Sequence, residues 1–351
     1  MHKYLSRILA ISAASVLVQT TIARGGSYCD LSWVAANGSQ AGVSAAPSAN
    51  GHVVALRGTD GIIRLNEWQT SSSTWSGWIV LPSQNDSLGD PWVQYISNPG
   101  GTYNGTSIAG QNVYARGKTF IYQWICTRSG NSWVTSQATP VISILDGSGN
   151  KVISRVASAQ INASTPYGGE QELFATFSNG TVKYRKWTPW GLNNGSWNDT
   201  WTDMGISGVQ GAPYAIQLSP TTVNLYVHQA DGSIRQNYWN GSSWSGWLTP
   251  DGSGSIGYGD VASTFATYHY LYSFSTNGNL ESEAYTGGSW TAWTTYASPI
   301  KKSLAPVKTS GFNGILYGID ANNAVWSAVF NGSSLTSSAP VNCQNVLPDA
   351  L

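Results

Sequence analysis

The sequence has few charged residues for its length. Only 10% of its 351 residues are charged, and 17 Lys and Arg balance 17 Asp and Glu, so the formal net charge is zero. A typical soluble domain has about 25% charged residues. A neutral chain lacks the basic surface that binds nucleic acid or anionic membranes, so we expect neither partner. Hydrophobic residues make up 41% of the chain, so the low charge does not predict disorder.

No hydrophobic run is long enough to span a bilayer. The apolar stretch Ile8–Val18 follows a basic start and precedes small residues that end at Ala23. A run this short is no membrane anchor. The pattern instead predicts a secretory signal peptide over residues 1–23 and a mature domain over residues 24–351. We therefore expect a secreted, extracellular protein without membrane insertion.

Cysteine is scarce, with only Cys29, Cys126 and Cys343 in the chain. In an oxidising compartment, Cys29 and Cys343 would form a disulfide that joins the two ends of the mature chain. Cys126 lies in a strand-like aromatic run, which favours a buried free thiol. The histidines are isolated and no cysteine cluster accompanies them, so we expect no metal and no cofactor.

Glycosylation sequons agree with export. Nine N-x-S/T triplets predict a glycoprotein, although glycine- and serine-rich turns also produce such triplets by chance. They begin at Asn37, Asn85, Asn104, Asn162, Asn179, Asn194, Asn198, Asn240 and Asn331.

Tryptophan and glycine are abundant, with 17 and 39 copies, and they are arranged in a repeat. A turn residue recurs seven positions before an aromatic residue. The six pairs are Gly61 with Trp68, Gly117 with Trp124, Gly180 with Trp187, Gly232 with Trp239, Gly278 with Tyr285, and Asn323 with Phe330. In four copies an Asn or Asp precedes the glycine, which is the strongest short signal for a β-hairpin.

A second aromatic residue follows in five of the copies. These residues are Trp75, Trp133, Trp197, Trp244 and Trp290, with Leu335 in the sixth copy. Three copies add another Trp three residues later, namely Trp78, Trp247 and Trp293. Each unit therefore predicts four strands, with a β-turn between the second and third and a short loop before the fourth.

Four strands per unit, repeated at intervals of about 45–60 residues, are typical of a β-propeller blade. The fold class is all-β, and six blades of four antiparallel strands are favoured over seven. The six units span residues 44–82, 88–140, 152–204, 209–250, 257–297 and 303–341. We expect residues 28–34 to pack near the last blade, where the pair Cys29 and Cys343 would lock the ring.

The motif that runs from "DGxIR" to "WSGW" in units one and four resembles the blades of PLL-type bacterial propeller lectins. The plan of six blades in a secreted chain resembles the fungal fucose-binding lectins of the Aleuria lectin family. The similarity covers roughly residues 44–341. It implies a lectin with shallow sugar sites between adjacent blades.

The resemblance is incomplete at the site residues. The fungal lectins have an acidic residue directly after the strand arginine, whereas Leu65 follows Arg64 and Gln236 follows Arg235 here. Glu67 is near but falls on the opposite strand face from Arg64. Around the ring, the arginine position reads Arg64, Phe120, Lys183, Arg235, Glu281 and Trp326. The six sites are therefore not equivalent, and a preference for fucose stays open.

Sugar binding needs an aromatic face for C–H groups and polar groups for hydroxyls. Units one and four offer both. The candidate carbohydrate-binding residues are Arg64, Asn66, Trp68, Trp75 and Trp78 in unit one, and Arg235, Asn237, Trp239, Trp244 and Trp247 in unit four. The alternative is that these aromatic residues only fill the space between blades. The expected partners are glycans or glycoproteins, and pairing of two rings into a homodimer stays open.

An enzyme is the main alternative to a lectin, because many propellers hydrolyse glycosides with paired carboxylates. The pairs Glu170 with Glu172 and Glu281 with Glu283 each fit one strand face, but a solvated face explains them equally. No catalytic motif accompanies them, so we expect no catalytic residue. A non-sugar adhesion or interaction scaffold is the third reading.

Overall fold

The computed structural model describes most of the chain after residue 41. The described ranges are 42–57, 62–82, 89–96, 102–103, 106–107, 110–129, 132–136, 138–162, 169–191, 194–250, 262–265, 269–286, 288–308, 313–321, 325–331 and 335–340. The signal segment, Cys29 and Cys343 lie outside the described residues, so the predicted disulfide stays a prediction. Within the described ranges, no helix is long and apolar enough to span a bilayer.

The repeat folds into six antiparallel sheets, each of which is one blade. The strands of blade 1 are Val43–Ser48, Gly51–Arg57, Ile63–Gln69, Thr74–Trp75 and Ile79–Val80. Those of blade 2 are Trp92–Ile96, Gly110–Arg116, Phe120–Ser129, Ser132–Thr135 and Thr139–Ser143, and those of blade 3 are Ala157–Ile161, Glu170–Thr176, Val182–Gly191, Asn194–Trp197 and Thr202–Asp203.

The other three blades follow the same order. Blade 4 has Val209–Ser219, Thr222–Gln229 and Ile234–Trp239, and blade 5 has Ala262–Phe265, His269–Phe274, Leu280–Thr286, Ser289–Trp290 and Thr294–Tyr296. Blade 6 has Lys302–Lys308, Asn313–Ile319, Val325–Asn331 and Leu335–Pro340. A two-stranded hairpin, Thr102–Tyr103 with Thr106–Ser107, lies between the first two strands of blade 2.

The outer strand is split in most blades. In blades 1, 2, 3 and 5, two short segments pair with the same third strand, one on each side of a bend. In blade 4 the outer segment is reduced to two bridges, from Trp239 to Trp244 and from Gln236 to Leu248. The prediction of four antiparallel strands per unit is confirmed, and in blades 1, 2, 3 and 5 the fourth strand is broken after the segment that carries the second aromatic residue.

The blades close into a ring through their inner strands. The first strand of each blade contacts the first strand of the next, and the series ends with blade 6 against blade 1. At that closing interface, the backbone N–H of Val43 donates to Ser303 Oγ at 2.8 Å. Apolar residues of both blades, among them Val54, Leu56, Val307 and Ile319, form one buried cluster there. The six-bladed propeller predicted from the repeat is confirmed.

Blade 2 departs from the predicted interval. In blades 1, 3 and 5, the aromatic residue seven positions after the turn glycine pairs across the hairpin with the second aromatic, as Trp68 does with Trp75. In blade 2 the third strand continues past Trp124 to Ser129, and Trp133, which directly follows the turn, pairs with Arg128 instead of Trp124. Trp124 is buried and donates from Nε1 to the Pro82 carbonyl of blade 1 at 2.8 Å.

Candidate functional site

Residues on the third strand of each blade alternate between two inter-blade clefts. Leu65 packs in the cluster that blade 1 shares with blade 2, whereas Val54, the cross-strand partner of Asn66, packs against blade 6. Because side chains alternate along a strand, Arg64, Asn66 and Trp68 share the face toward blade 6. We name each cleft by its two blades, so these residues belong to the 6–1 cleft.

The 6–1 cleft contains a cluster of four aromatic rings. Trp75 lies 5.6 Å from Trp68 and 6.3 Å from Tyr317 of blade 6, in both cases edge-on. His52 stacks on Trp68 at 6.5 Å and shares a 2.6 Å hydrogen bond with the Tyr317 hydroxyl. Trp75 therefore packs against the preceding blade. Packing between blades is the alternative to sugar binding that the sequence left open for these aromatic residues.

The polar candidates of blade 1 contact their own loop. Asn66 is buried, and its Oδ1 accepts from the Glu67 backbone N–H at 2.9 Å and from Ser76 Oγ at 3.3 Å. Arg64 donates to the Ile62 carbonyl at 3.4 Å. Trp78 packs on the apolar cluster of the closing interface. Sugar binding by these residues stays a prediction.

The 3–4 cleft collects the three tryptophans predicted in unit four. Trp244 lies 5.9 Å from Trp239 and edge-on to Phe174 of blade 3 at 5.5 Å. Trp247 donates from Nε1 to the Met204 carbonyl of blade 3 at 2.7 Å. The indoles of blade 4 therefore face blade 3, and the Trp244 and Trp247 side chains remain half-buried.

Charged side chains of blade 3 line the same cleft. Trp244 Nε1 donates to Glu172 Oε2 at 3.1 Å, and Lys186 is the cross-strand neighbour of Glu172. Lys186 Nζ lies 2.7 Å from Glu170 Oε2, with 32% and 20% of the two side chains exposed. Glu170 also accepts from Asn162 Nδ2 at 3.0 Å. The cleft thus combines an indole with an ion pair that water reaches.

The two carboxyl groups differ in environment. Glu172 is 2% exposed, and burial raises the pKa of its carboxyl to about 7 despite the hydrogen bond from Trp244. Glu170 is paired with Lys186 at the surface. The expectation that Glu170 and Glu172 share a strand face agrees with this placement, since both contact groups of the 3–4 cleft.

The remaining unit-four candidates lie nearer the turn. Arg235 donates from Nε to Gln229 Oε1 at 2.8 Å and from Nη1 to Thr249 Oγ1. Asn237 is buried and accepts from Ser245 Oγ at 3.2 Å. These contacts are with their own blade, and the structure brings neither residue to the ion pair of blade 3.

The 1–2 cleft holds an acidic and a basic residue that the sequence did not pair. Glu67 of blade 1 accepts from Arg128 of blade 2 at Nε, 2.8 Å away, and at Nη2. The Arg128 guanidinium lies 4.6 Å from the Trp133 ring centroid. The sequence indicated only that Glu67 lies on the strand face opposite to Arg64. It did not indicate the partner, because Arg128 comes from the next unit, 61 residues away.

Two other clefts are closed by buried polar networks. In the 2–3 cleft, Tyr114 donates to Gln171 Oε1 at 2.9 Å. In the 4–5 cleft, the Tyr226 hydroxyl lies 2.9 Å from His269 Nε2. Both tyrosines are fully buried, so these networks leave no room for a ligand at that depth. Among the described residues, no group of three His, Cys, Asp or Glu could hold a metal ion.

Solved propeller lectins are the structural neighbours. The fucose-specific lectin from Aleuria aurantia is similar with a TM-score of 0.60 and 16% identity, over 91% of this chain and 98% of that one. The BP39L lectin from Burkholderia pseudomallei gives 0.59 and 15%, over 85% and 83%. AofleA from Arthrobotrys oligospora gives 0.58 and 12%, over 86% and 90%. At this identity the likeness shows the fold.

No family model matches the sequence, and no curated protein matches it by sequence comparison. The resemblance to the Aleuria lectin family, which the plan of six blades indicated, is supported by the three-dimensional fold.

Proposed function

We propose that the chain is a secreted, non-catalytic lectin that binds glycans in the 3–4 cleft. The proposal rests on one observation. The Trp244 indole donates a hydrogen bond to Glu172, next to the water-accessible ion pair of Lys186 and Glu170. An indole beside an ionised donor and an ionised acceptor is what a sugar ring requires. The C–H face of the sugar packs on the aromatic ring, and its hydroxyls accept a hydrogen bond from the ammonium group and donate one to the carboxylate.

The 3–4 cleft is favoured over the others because its charged groups are reachable. In the 1–2 cleft, Glu67 is 1% exposed and engaged by Arg128, which itself covers Trp133. In the 5–6 cleft, three aromatic rings pack together, since Phe330 of blade 6 contacts Tyr272 and Tyr296 of blade 5. The six clefts are therefore unequal, which agrees with the unequal arginine positions of the repeat.

Fucosylated glycans are the first ligands to test. Among the solved structures with this fold is a fucose-specific lectin that covers nearly the whole chain. Lys186 and Glu170 place a basic and an acidic group together in the 3–4 cleft, whereas Arg64 and Arg235 lack an acidic residue directly after them. We expect a monosaccharide or glycan terminus rather than a long chain, because the cleft lies between only two blades.

Burial argues against hydrolysis by the same carboxyl pair. A general acid must reach the glycosidic oxygen. Glu172 has a pKa suited to that role, but it is 2% exposed and its Oε2 accepts from Trp244. An oxygen atom of a substrate therefore has no access to it, and binding without cleavage is the expected outcome.

The test is a glycan array with the full chain, followed by titration calorimetry with the best ligand. Lys186→Met and Glu170→Gln should each weaken binding about tenfold, because each removes a charge-assisted hydrogen bond. Lys151→Met, at an exposed lysine outside the cleft, is the matched control and should leave affinity unchanged. An array silent across fucosylated, galactosylated and methylated glycans would refute the lectin, and release of free sugar would show an enzyme.

Export and oligomeric state belong to the same proposal. The secreted protein should begin after Ala23, which N-terminal sequencing of the product from a culture medium would show. Asn179 and Asn240 lie exposed at turns, where a glycan can attach. The homodimer stays a prediction that sedimentation would test.

A further inference from the structure

A hydrogen bond between two blades orients the Trp244 indole in the 3–4 cleft. Its Nε1 donates to Glu172 Oε2 of blade 3 at 3.1 Å. The indole also contacts the rings of Phe174 at 5.5 Å and Trp239 at 5.9 Å, and contacts between aromatic rings tolerate several geometries. The hydrogen bond to Glu172 therefore decides how the indole faces the cleft.

The backbone around Trp244 gives the indole little support. The outer segment of blade 4 is reduced to two bridges, one of which joins Trp244 to Trp239. Ser243 and Ser245, on either side of Trp244, are exposed. The side-chain contact with Glu172 of the neighbouring blade therefore supplies support that a regular outer strand would give.

The Glu172 carboxyl group is placed where its charge is costly. It is 2% exposed, and burial raises its pKa to about 7, although the hydrogen bond from Trp244 lowers it. A carboxyl group of this kind exchanges its charged form for its neutral form close to neutral pH. It does so while it is in contact with the indole.

Three side chains of blade 3 surround this carboxyl group. Lys186, the cross-strand neighbour of Glu172, lowers its pKa, and Glu170 on the same strand raises it. Tyr184 lies on the third strand, and its own pKa is raised by burial and by the charge of Glu172. The first strand, Ala157–Ile161, contains no titratable residue. Lys186 and Glu170 are therefore the charges that tune Glu172.

The titratable side chains on the described strands of blade 4 are engaged elsewhere. They are Tyr214, which contacts blade 2, Tyr226, His228 and Tyr238, which face blade 5, and Arg235, which binds Gln229 near the turn. The polar group that blade 4 brings to Glu172 is therefore the Trp244 N–H.

We propose that Glu172 is a positioning residue for Trp244, and that a proton on its carboxyl group loosens the indole and weakens glycan binding in the 3–4 cleft. A hydrogen bond to an ionised acceptor is roughly twice as strong as one to a neutral acceptor, so protonation weakens the contact that orients the ring. The effect on glycans rests on the proposed function, whereas the effect on the indole does not.

The indole can be followed without any sugar. In full-length protein labelled with ¹⁵N-tryptophan, the indole N–H resonance of Trp244 is identified by its loss in Trp244→Phe. It should move with a midpoint at a pH of about 7, and it should not move there in Glu172→Gln. Lys186→Met should raise the midpoint and Glu170→Gln should lower it. Glu281→Gln, at a carboxyl group of blade 5, is the matched control and should keep the native midpoint.

Calorimetric titration of the full chain with α-methyl fucoside at pH 8 and pH 6 measures the effect on binding. The native chain should bind about threefold more tightly at pH 8, because the carboxylate is then ionised. Glu172→Gln has the shape of the protonated group, so it should have the lower affinity at both pH values. Glu281→Gln should behave as the native chain does. If α-methyl fucoside does not bind, the best ligand of the glycan array replaces it.

The two measurements separate the possible failures. A Trp244 resonance that does not move around pH 7, or that moves equally in Glu172→Gln, would overturn the positioning role. Equal affinity at pH 8 and pH 6, or the same change in Glu172→Gln, would overturn the effect of the proton on binding. A resonance that titrates in a chain that binds no glycan would refute the proposed function and the effect on binding, and would support Glu172 as the group that orients Trp244.

Discussion

The two buried imidazoles, His52 and His269, occupy one position of the repeat. Each pairs across its hairpin with the first aromatic residue of its blade, and each contacts a tyrosine hydroxyl of the preceding blade. Gln171 takes this position in blade 3 and accepts from Tyr114. A neutral acceptor is thus what the position needs, and a glutamine supplies it as well as an imidazole does.

Burial lowers the pKa of both imidazoles to about 4. Their unfolded value is about 6.5, so the unfolded chain takes up protons first as pH falls. The stability that each neutral imidazole contributes is therefore complete above pH 6.5 and is lost as pH falls toward 4. Each group is worth up to about 3 kcal/mol over that range.

We predict that His269→Gln makes the protein less sensitive to acid. At pH 7.5 the variant should unfold within about 1 kcal/mol of the parent, because Gln keeps the Tyr226 hydrogen bond. Near pH 4.5 it should be the more stable of the two. Urea unfolding at both pH values measures this, and an identical pH dependence of the two proteins would show that His269 does not titrate on unfolding.

At the scale of the element, the loop of the outer strand explains the "WSGW" motif. Asn66 accepts from Ser76 Oγ, and Asn237 accepts from Ser245 Oγ, so the same contact recurs in blades 1 and 4. The following glycines, Gly77 and Gly246, have φ of +98° and +87°. The motif therefore encodes a bend that splits the fourth strand and presents two tryptophans to the preceding blade.

Gly246→Ala should destabilise the protein by about 1–2 kcal/mol through backbone strain alone. A Cβ at Gly246 meets no atom within 4 Å, so crowding adds nothing. Gly147→Ala is the matched control, because a Cβ is equally unobstructed there and the backbone is not left-handed. Thermal unfolding of both variants gives the comparison. Equal melting temperatures would mean that the bend tolerates a side chain.

The strands were predictable because their signals are local. An Asp-Gly or Asn-Gly turn and an aromatic residue seven positions later predicted the hairpin, and the second tryptophan predicted the outer strand. Blade 2 shows the limit, since its outer turn follows Ser129 and gives Trp133 an arginine partner that the interval of seven did not predict. The position of that turn depends on packing against neighbours, which the local pattern does not contain.

At the scale of the whole molecule, the number of blades could be predicted from the sequence, but the side-chain contacts in the clefts between them could not. The contact of Trp244 with Glu172, beside the ion pair of Lys186 and Glu170, and the contact of Glu67 with Arg128 each join two blades. The repeat predicts which positions face a cleft. It does not say which partner each side chain finds there, because that depends on the residues of the adjacent blade.

Closure of the ring is the property of the whole molecule that a disulfide would reinforce. Blade 6 already meets blade 1 through the Ser303 and Tyr317 hydrogen bonds and a buried apolar cluster. A bond between Cys29 and Cys343 would add a constraint on the unfolded chain across more than 300 residues, worth up to about 5 kcal/mol in the loop-entropy model.

We predict that native, unreduced protein has one titratable thiol after unfolding, from Cys126. Burial raises the pKa of that thiol to about 12, which keeps it unreactive in the folded state. Reductant and Cys343→Ser should each lower the melting temperature, whereas Cys126→Ala should keep the full response to reductant. Three free thiols in the unreduced protein, or a melting curve that reductant leaves in place, would show that the non-covalent interface between blades 6 and 1 closes the ring by itself.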